Sequence, residues 1–244
     1  MTQGLYLYGI FPSPGPLNLD LNGLDQQPVW AHQIEEFVFL YSDAQQSRYL
    51  ASRRNLLGHE RVLEQAMEEG YRTLLPLQFG LVIEDWNTVE KQLISTHGAH
   101  LEGLFNKLLG HREVGVKVFW DQPAELEALM AEDSPLRSER DRLEGKSLSM
   151  DEVVRIGQAI EQKMGDRQQH IISVFRDTLN SLAVDAIEND PLTDAMIYNA
   201  AYLIPWDAEP EFSKRVETLD QTFEGRLRIR YNNFTAPFNF ARLN

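Results

Sequence analysis

The sequence predicts an α+β protein of two small α+β domains, residues 1–112 and 113–244, the second ferredoxin-like with a long helix and a basic aromatic tail. Three observations lead there. Short β-rich runs such as GLYLYGIF (4–11) and VGVKVFW (114–120) alternate with segments of helical periodicity. The second half runs strand, helices, strand, helix, strand, an order that stands helices on one sheet. The length, 244 residues, suits one large domain or two small ones.

GLYLYGIF reads as the first strand, aromatic and stopped by PSPGP. The stretch Pro12–Pro28, rich in Pro, Gly, Asn and Asp, reads as irregular. PVWAHQI (28–34) and EEFVFLYSD (35–43) read as two further strands with little turn signal between them. A helix is predicted over Leu57–Gly70, because Val62, Leu63, Ala66 and Met67 recur at helical spacing while Glu60, Glu64, Glu68 and Glu69 fall mainly opposite. Gly70 suits its C-cap. LLPLQFGLVI (74–83) reads as one strand with Pro76 at an edge or bulge, since proline donates nothing to a ladder. Asn87 is placed to cap a helix running to Gly110, with Val89, Leu93, Leu101, Leu104, Phe105 and Leu108 on its apolar side. In VGVKVFW, Val114, Val116 and Val118 alternate with Gly115, Lys117 and Phe119.

From Pro123 to Asn189 the pattern is helical. PAELEALMAED begins with a proline suited to a first helical turn, and SPLRSERDRLEGKSLS (134–149) is charged and loosely patterned. A long helix is predicted from about Ser149 to Glu188, striped by Ile156, Ile160, Met164, Ile171, Val174, Phe175 and Leu182, with Asp190–Pro191 ending it. AMIYNAAYLIP (195–205) reads as a strand and EFSKRVETLDQTFEG (211–225) as a helix closed by Gly225. RLRIRYN (226–232) reads as a strand with Arg226, Arg228 and Arg230 on one face and Leu227, Ile229 and Tyr231 on the other.

The hydrophobic fraction of 43% and charged fraction of 25% belong to an ordinary globular chain. No apolar window approaches the ~20 residues of a membrane span. MTQGLYLYGIF lacks the basic start and small-residue cleavage site of a signal peptide. Without cysteine there is no disulfide framework, thiolate chemistry or cysteine zinc site, which suits a reducing cytosol. A formal charge of −14 weighs against nucleic-acid and lipid-membrane partners, both of which attract clustered cations. The charge is uneven: from Arg226 onward there are four arginines, Arg226, Arg228, Arg230 and Arg242, and no acidic residue.

No catalytic, metal or cofactor-binding constellation emerges. His97 and His100 stand three apart on a predicted helix without a well-spaced carboxylate, and read as surface or lightly packed residues. His59 reads the same way, near a helix start. The acidic pairs Glu68–Glu69, Glu84–Asp85 and Glu132–Asp133 read as solvated faces in a chain with 37 acids. No GxSxG, GxxxxGK or GxGxxG sequence occurs. In RLRIRYNNFTAPFNFARLN, Tyr231, Phe234, Phe238 and Phe240 read first as plugs for the core, then with the arginines as a protein contact, and last as an RNA-stacking surface.

YLYGI, HERVLEQAMEEG followed by LLPLQFGLVI, and EVGVKVFW, then the long helix, the LIP-containing strand and RIRYNNFTAPFNF, resemble the GvpL/GvpF family of gas vesicle proteins. The blocks come in the family's order over nearly the whole chain. One departure is Ala236, where the family's tail often has a glycine. The resemblance implies a non-enzymatic accessory or minor structural protein of gas vesicles, the hollow protein-shelled compartments that give some prokaryotes buoyancy. It implies a place at the gas vesicle, and in the cytoplasm before assembly. The implied partners are the main gas vesicle shell protein and other accessory proteins. The implied role is support of vesicle assembly, by keeping the shell protein from aggregating during nucleation. The compact length favours the F-type. Arg226, Arg228 and Arg230 are then the expected partner contacts. The alternative from a different class is a small enzyme or ligand-binding module on a ferredoxin-like scaffold.

Overall fold

A computed structural model describes residues 4–141, 150–223 and 225–242. It divides into two compact units, one of Met1–Val114, Leu203–Asp207 and Asn233–Asn244, the other of Gly115–Tyr202 and Ala208–Asn232.

The first unit is organised by β1 (Leu5–Pro12), whose Tyr6, Leu7, Tyr8, Ile10 and Phe11 are all essentially inaccessible to water. Burial of consecutive residues marks a strand covered on both faces. β2 (Asn18–Asn22), β3 (Pro28–Ile34) and β4 (Phe37–Asp43) extend the sheet on one side, in the order β2-β3-β4-β1. The pairs are antiparallel, with Ile10 opposite Phe39 and Ala31 opposite Leu40. Glu35, at φ 52°, turns the β3–β4 hairpin.

Two expectations fail in this sheet. Pro12–Pro28 is not wholly irregular, because NLDLN forms β2 and Leu24–Gln26 a 3₁₀ turn. In β2, Leu19 and Leu21 alternate with polar residues at the period of a strand. LLPLQFGLVI is not one strand either. It forms two short ones, β5 (Leu75–Pro76) and β6 (Val82–Ile83), both paired with β1. β5 ends the sheet order, where a residue without an N–H is tolerated. Gly80, at φ 88°, bends the chain between them.

Helix α1 (Arg53–Glu68) starts at Ser52, whose hydroxyl accepts from Asn55 N–H at 3.3 Å. It packs Val62, Leu63, Ala66 and Met67 into one core with Tyr6, Tyr8 and Leu40. Asp85, not Asn87, caps α2 (Trp86–Val89) by accepting from Thr88 N–H at 2.8 Å. A π-helical turn at Glu90–Ile94 leads into α3 (Ser95–Leu108), where Phe105 stacks on Phe37 with centroids 5.9 Å apart.

The second sheet consists of β7 (His111–Trp120), β8 (Asp185–Glu188), β9 (Met196–Pro205) and β10 (Leu227–Thr235), mostly within the second unit; β7 up to Val114, β9 from Leu203 and β10 from Asn233 count with the first. Between β7 and β8 lie α4 (Gln122–Glu132), α5 (Ser134–Asp141) and α6 (Met150–Asn180), and α7 (Glu209–Thr222) joins β9 to β10. The strand order β10-β7-β9-β8 with this βαββαβ connectivity is the ferredoxin-like arrangement. The long helix stops at Asn180, eight residues before its expected end, so Leu182 lies beyond it. DAIE, at the end of the span predicted as helix, is strand β8. Ser149, its expected start, lies outside the described residues, as do residues 142–148 of the charged segment. Phe175 of α6 packs on Tyr198 of β9, and Phe212 of α7 stacks on Tyr231 of β10, which ties both helices to the sheet.

Candidate functional site

β10 stands at one end of its sheet and carries Arg228 and Arg230, with Arg226 just before its start. A Cβ at Gly115 would lie 3.9 Å from that of Asn232, so strand alternation puts Gly115, Lys117 and Phe119 on one face with Asn232, Arg230 and Arg228. The guanidinium carbons of Arg228 and Arg230 lie 4.5 and 5.2 Å from the Phe119 ring centroid. Both side chains are exposed, while Leu227 on the opposite face is buried. Both guanidinium groups lie within cation–π reach of the one ring.

Arg226 is used differently. Its guanidinium approaches Glu125 at 3.5 Å, and its Nε donates to the Phe223 carbonyl at 3.4 Å. Glu125, on α4, is fully buried and also accepts from Arg167 of α6, which reaches Glu132 at 2.7 Å. Arg167 thereby holds the Glu132 carboxyl below its usual range, first through the hydrogen bond and then through its charge. The structure therefore brings Arg228 and Arg230 together on an open face and engages Arg226, itself partly exposed, in an acid–base network around the buried Glu125.

The first unit contains two buried polar centres that sequence reasoning missed. His59 lies beneath the LPLQFG segment and is 2% exposed. Its Nδ1 is 2.9 Å from Tyr6 Oη and its Nε2 is 3.2 Å from the Leu77 carbonyl. Gly80 N–H donates to the same Tyr6 hydroxyl at 3.1 Å. One assignment satisfies every group: Tyr6 O–H donates to Nδ1, and a neutral imidazole donates from Nε2–H to Leu77. Burial drives the His59 pKa down to about 4, opposed in part by the Leu77 hydrogen bond. The signal for this role was positional, since His59 shares the helical stripe of Val62, Leu63, Ala66 and Met67.

The second centre is Glu113 on β7, 4% exposed. Its carboxylate accepts from Asn239 N–H at 2.8 Å and Asn239 Nδ2 at 2.6 Å, tethering the C-terminal segment. Burial pushes its pKa up to about 7, although the Asn239 bonds oppose the shift. That segment places Ala236 and Phe240 in the buried interior, and Phe234 faces Trp206, whose ring also receives the Arg72 and Arg112 guanidinium groups. Phe238 remains 37% exposed.

Among the described residues no group of three His, Cys, Asp or Glu side chains is arranged to hold a metal ion, and no helix is long and apolar enough to cross a membrane. His97 and His100 lie on α3, partly exposed and exposed respectively. Two acidic pairs prove to hold helix starts: Asp85 caps α2, and Asp133 accepts from Leu136 N–H at 3.0 Å in α5. Tyr6, His59 and Glu113 all bind main-chain groups, so their shifted pKa values accompany a structural task.

The model for the family "Gas vesicle synthesis protein GvpL/GvpF" matches residues 4–242. The chain belongs to the GvpL/GvpF family. Among GvpL/GvpF relatives, gas vesicle protein F of Nostoc sp. (strain PCC 7120) is 57% identical, with 100% of each chain covered. That of Microcystis aeruginosa is also 57% identical over the full length of both chains. The Haloferax mediterranei protein F is 23% identical, covering 99% of this chain and 94% of its own. Among solved structures, the crystal structure of GvpF from Anabaena sp. PCC7120 matches with a TM-score of 0.91 over 100% of both chains, at 57% identity. GvpF from Microcystis aeruginosa gives a TM-score of 0.84 over 99% of this chain and 100% of the other. The α+β fold is that of GvpF, and a gas vesicle role follows from membership.

Proposed function

We propose that this gas vesicle protein is a non-enzymatic accessory or minor structural component that binds the main shell protein and supports vesicle assembly. It resides in the cytoplasm before assembly and at the vesicle afterwards. Binding covers apolar surface of the shell protein that would otherwise aggregate during nucleation, while the acidic exterior keeps the complex dispersed. The observation that carries this reading is the face of β10, where Arg228 and Arg230 stand exposed within cation–π reach of Phe119 in a chain of net charge −14. Arg and aromatic residues together are enriched at protein interfaces. The engagement of Tyr6, His59 and Glu113 in holding main chain supports a scaffold over a catalyst.

The test is a pull-down with the main shell protein from the same cells, followed by fractionation of intact vesicles. Recovery in both identifies a shell-bound component, and recovery in the pull-down alone identifies a transient assembly factor. Absence from both refutes the proposal.

A further inference from the structure

The partner surface on β10 has a definable chemistry. β10 ends the sheet order β10-β7-β9-β8, so among the described residues it pairs with one strand and presents its other side to no strand. Lys117, Arg228 and Arg230 share a face, and among the described residues none of the three is in an ion pair. In a chain with 37 acids and 23 bases, three cations gathered on one face suit the acidic groups of a partner. On the other face, Ile229 and Tyr231 are half-buried at the margin of the unit's core. The neighbouring cleft of about 590 Å³ is a weaker candidate, because Asp121 and Asp194 line it along with Arg226 and Arg228 and leave it without net charge.

We propose that β10 accepts an extended acidic segment of a partner protein as an added strand. The proposal rests on the reading of this strand as the partner contact and specifies what the partner must offer. Strand addition aligns backbones and places alternate side chains on opposite faces. Acidic residues two apart therefore meet Arg228 and Arg230, and the apolar residues between them extend the core beside Ile229 and Tyr231. The recognised pattern alternates acidic and apolar residues. An acidic segment in any other conformation cannot satisfy both faces at once.

The probe is an end-blocked, fluorescein-labelled heptapeptide with glutamate at its second and fourth positions and valine or threonine elsewhere. Its binding to the full chain is followed by fluorescence anisotropy. The peptide is expected to bind saturably, and replacing both glutamates with lysine should weaken binding at least about tenfold. The double substitution Arg228→Gln/Arg230→Gln should weaken it about tenfold, with an unchanged circular dichroism spectrum establishing the fold. N-methylation of alternate peptide amides, which blocks strand pairing without altering charge, should weaken binding to the unaltered protein by a similar factor. Equal binding of the lysine peptide, equal binding of the N-methylated peptide, or no saturable binding at millimolar peptide each overturns strand addition. Loss of peptide binding with shell-protein recovery intact removes the edge site alone. Peptide binding without shell-protein recovery keeps the edge site and removes the shell protein as its occupant.

Discussion

Replacing Glu113 with glutamine should expose a pH dependence that the native protein conceals. Glu113 and His59 are buried in the same unit and shift in opposite senses. For Glu113 the folded pKa of about 7 lies above the carboxylate reference of 4.5. The folded state then binds the proton more tightly than the unfolded one. Stability from this group is fully present below about pH 4.5 and is lost as pH rises through about 7. For His59 the folded pKa of about 4 lies below the reference of 6.5. Here the unfolded state binds the proton more tightly, so stability is fully present above about pH 6.5 and is lost as pH falls through about 4. Each pH unit of differential protonation is worth about 1.4 kcal/mol. Between pH 4.5 and 6.5 the two contributions oppose one another, each amounting to about 2.2 kcal/mol once partial titration at the ends of the window is included.

Glu113→Gln removes one arm of this balance. Relative to its own value at pH 6.5, the variant should lose about 2–3 kcal/mol more than the native protein on acidification to pH 4.5. Urea unfolding followed by tryptophan fluorescence in a Trp120→Phe background measures this, because Trp30, Trp86 and Trp206 all belong to the first unit. Glutamine also perturbs the Asn239 tether directly, but that effect is common to every pH and drops out of the difference. Native and variant curves that run parallel within about 0.5 kcal/mol across this window would refute the reasoning, since that is well below the difference expected with His59 acting alone.

Two further outcomes concern the same kinds of buried group. Tyr6→Phe leaves His59 Nδ1 and the Gly80 N–H without their partner and should lower stability by about 2–4 kcal/mol in the same fluorescence assay. Arg167→Met strips the buried Glu125 of its nearer cation and should cost about 3–5 kcal/mol, with Glu125→Gln in the same chain recovering part of the loss. Trp120, the single tryptophan of the second unit, reports that unfolding.

Periodicity carried most of the secondary structure. The stripe of Val62, Leu63, Ala66 and Met67 located α1, and the alternation in RLRIRYN separated Arg228 and Arg230 from the core-facing residues. What escaped was set by contacts distant in sequence. LLPLQFGLVI looks like one strand because its residues favour extended structure, but Tyr8 C=O binds Leu77 N–H and Leu7 N–H binds Leu81 C=O, looping out the residues between. β8 escaped because four residues after a long helix carry too little pattern to oppose continuation of the helix. Strand parity alone could not distinguish Arg226 from Arg228, since the distinction comes from Glu125, about a hundred residues earlier in the chain. His59 was legible in principle, as its place on the apolar stripe carries the information that it is buried. A polar residue on that stripe requires partners, and only the fold supplies Tyr6 and Leu77.

An acidic partner segment docking on an acidic protein raises a question of range. At about 10 mM salt the screening length is about 30 Å, so the segment meets the field of the whole chain, with its net charge of −14. At about 150 mM it falls to about 8 Å, and Lys117, Arg228 and Arg230 dominate what the segment meets at β10. At about 1 M it is about 3 Å, and those local attractions are weakened as well. Affinity of the glutamate heptapeptide should therefore pass through a maximum as salt is raised. A purely basic site would weaken from the lowest salt onward, in the manner of counterion-driven binding. Anisotropy titrations at these three ionic strengths distinguish the two. A steady decline from the lowest salt would mean that the arginine face controls the field well beyond its own neighbourhood, and that the excess of acids elsewhere does not regulate access to it.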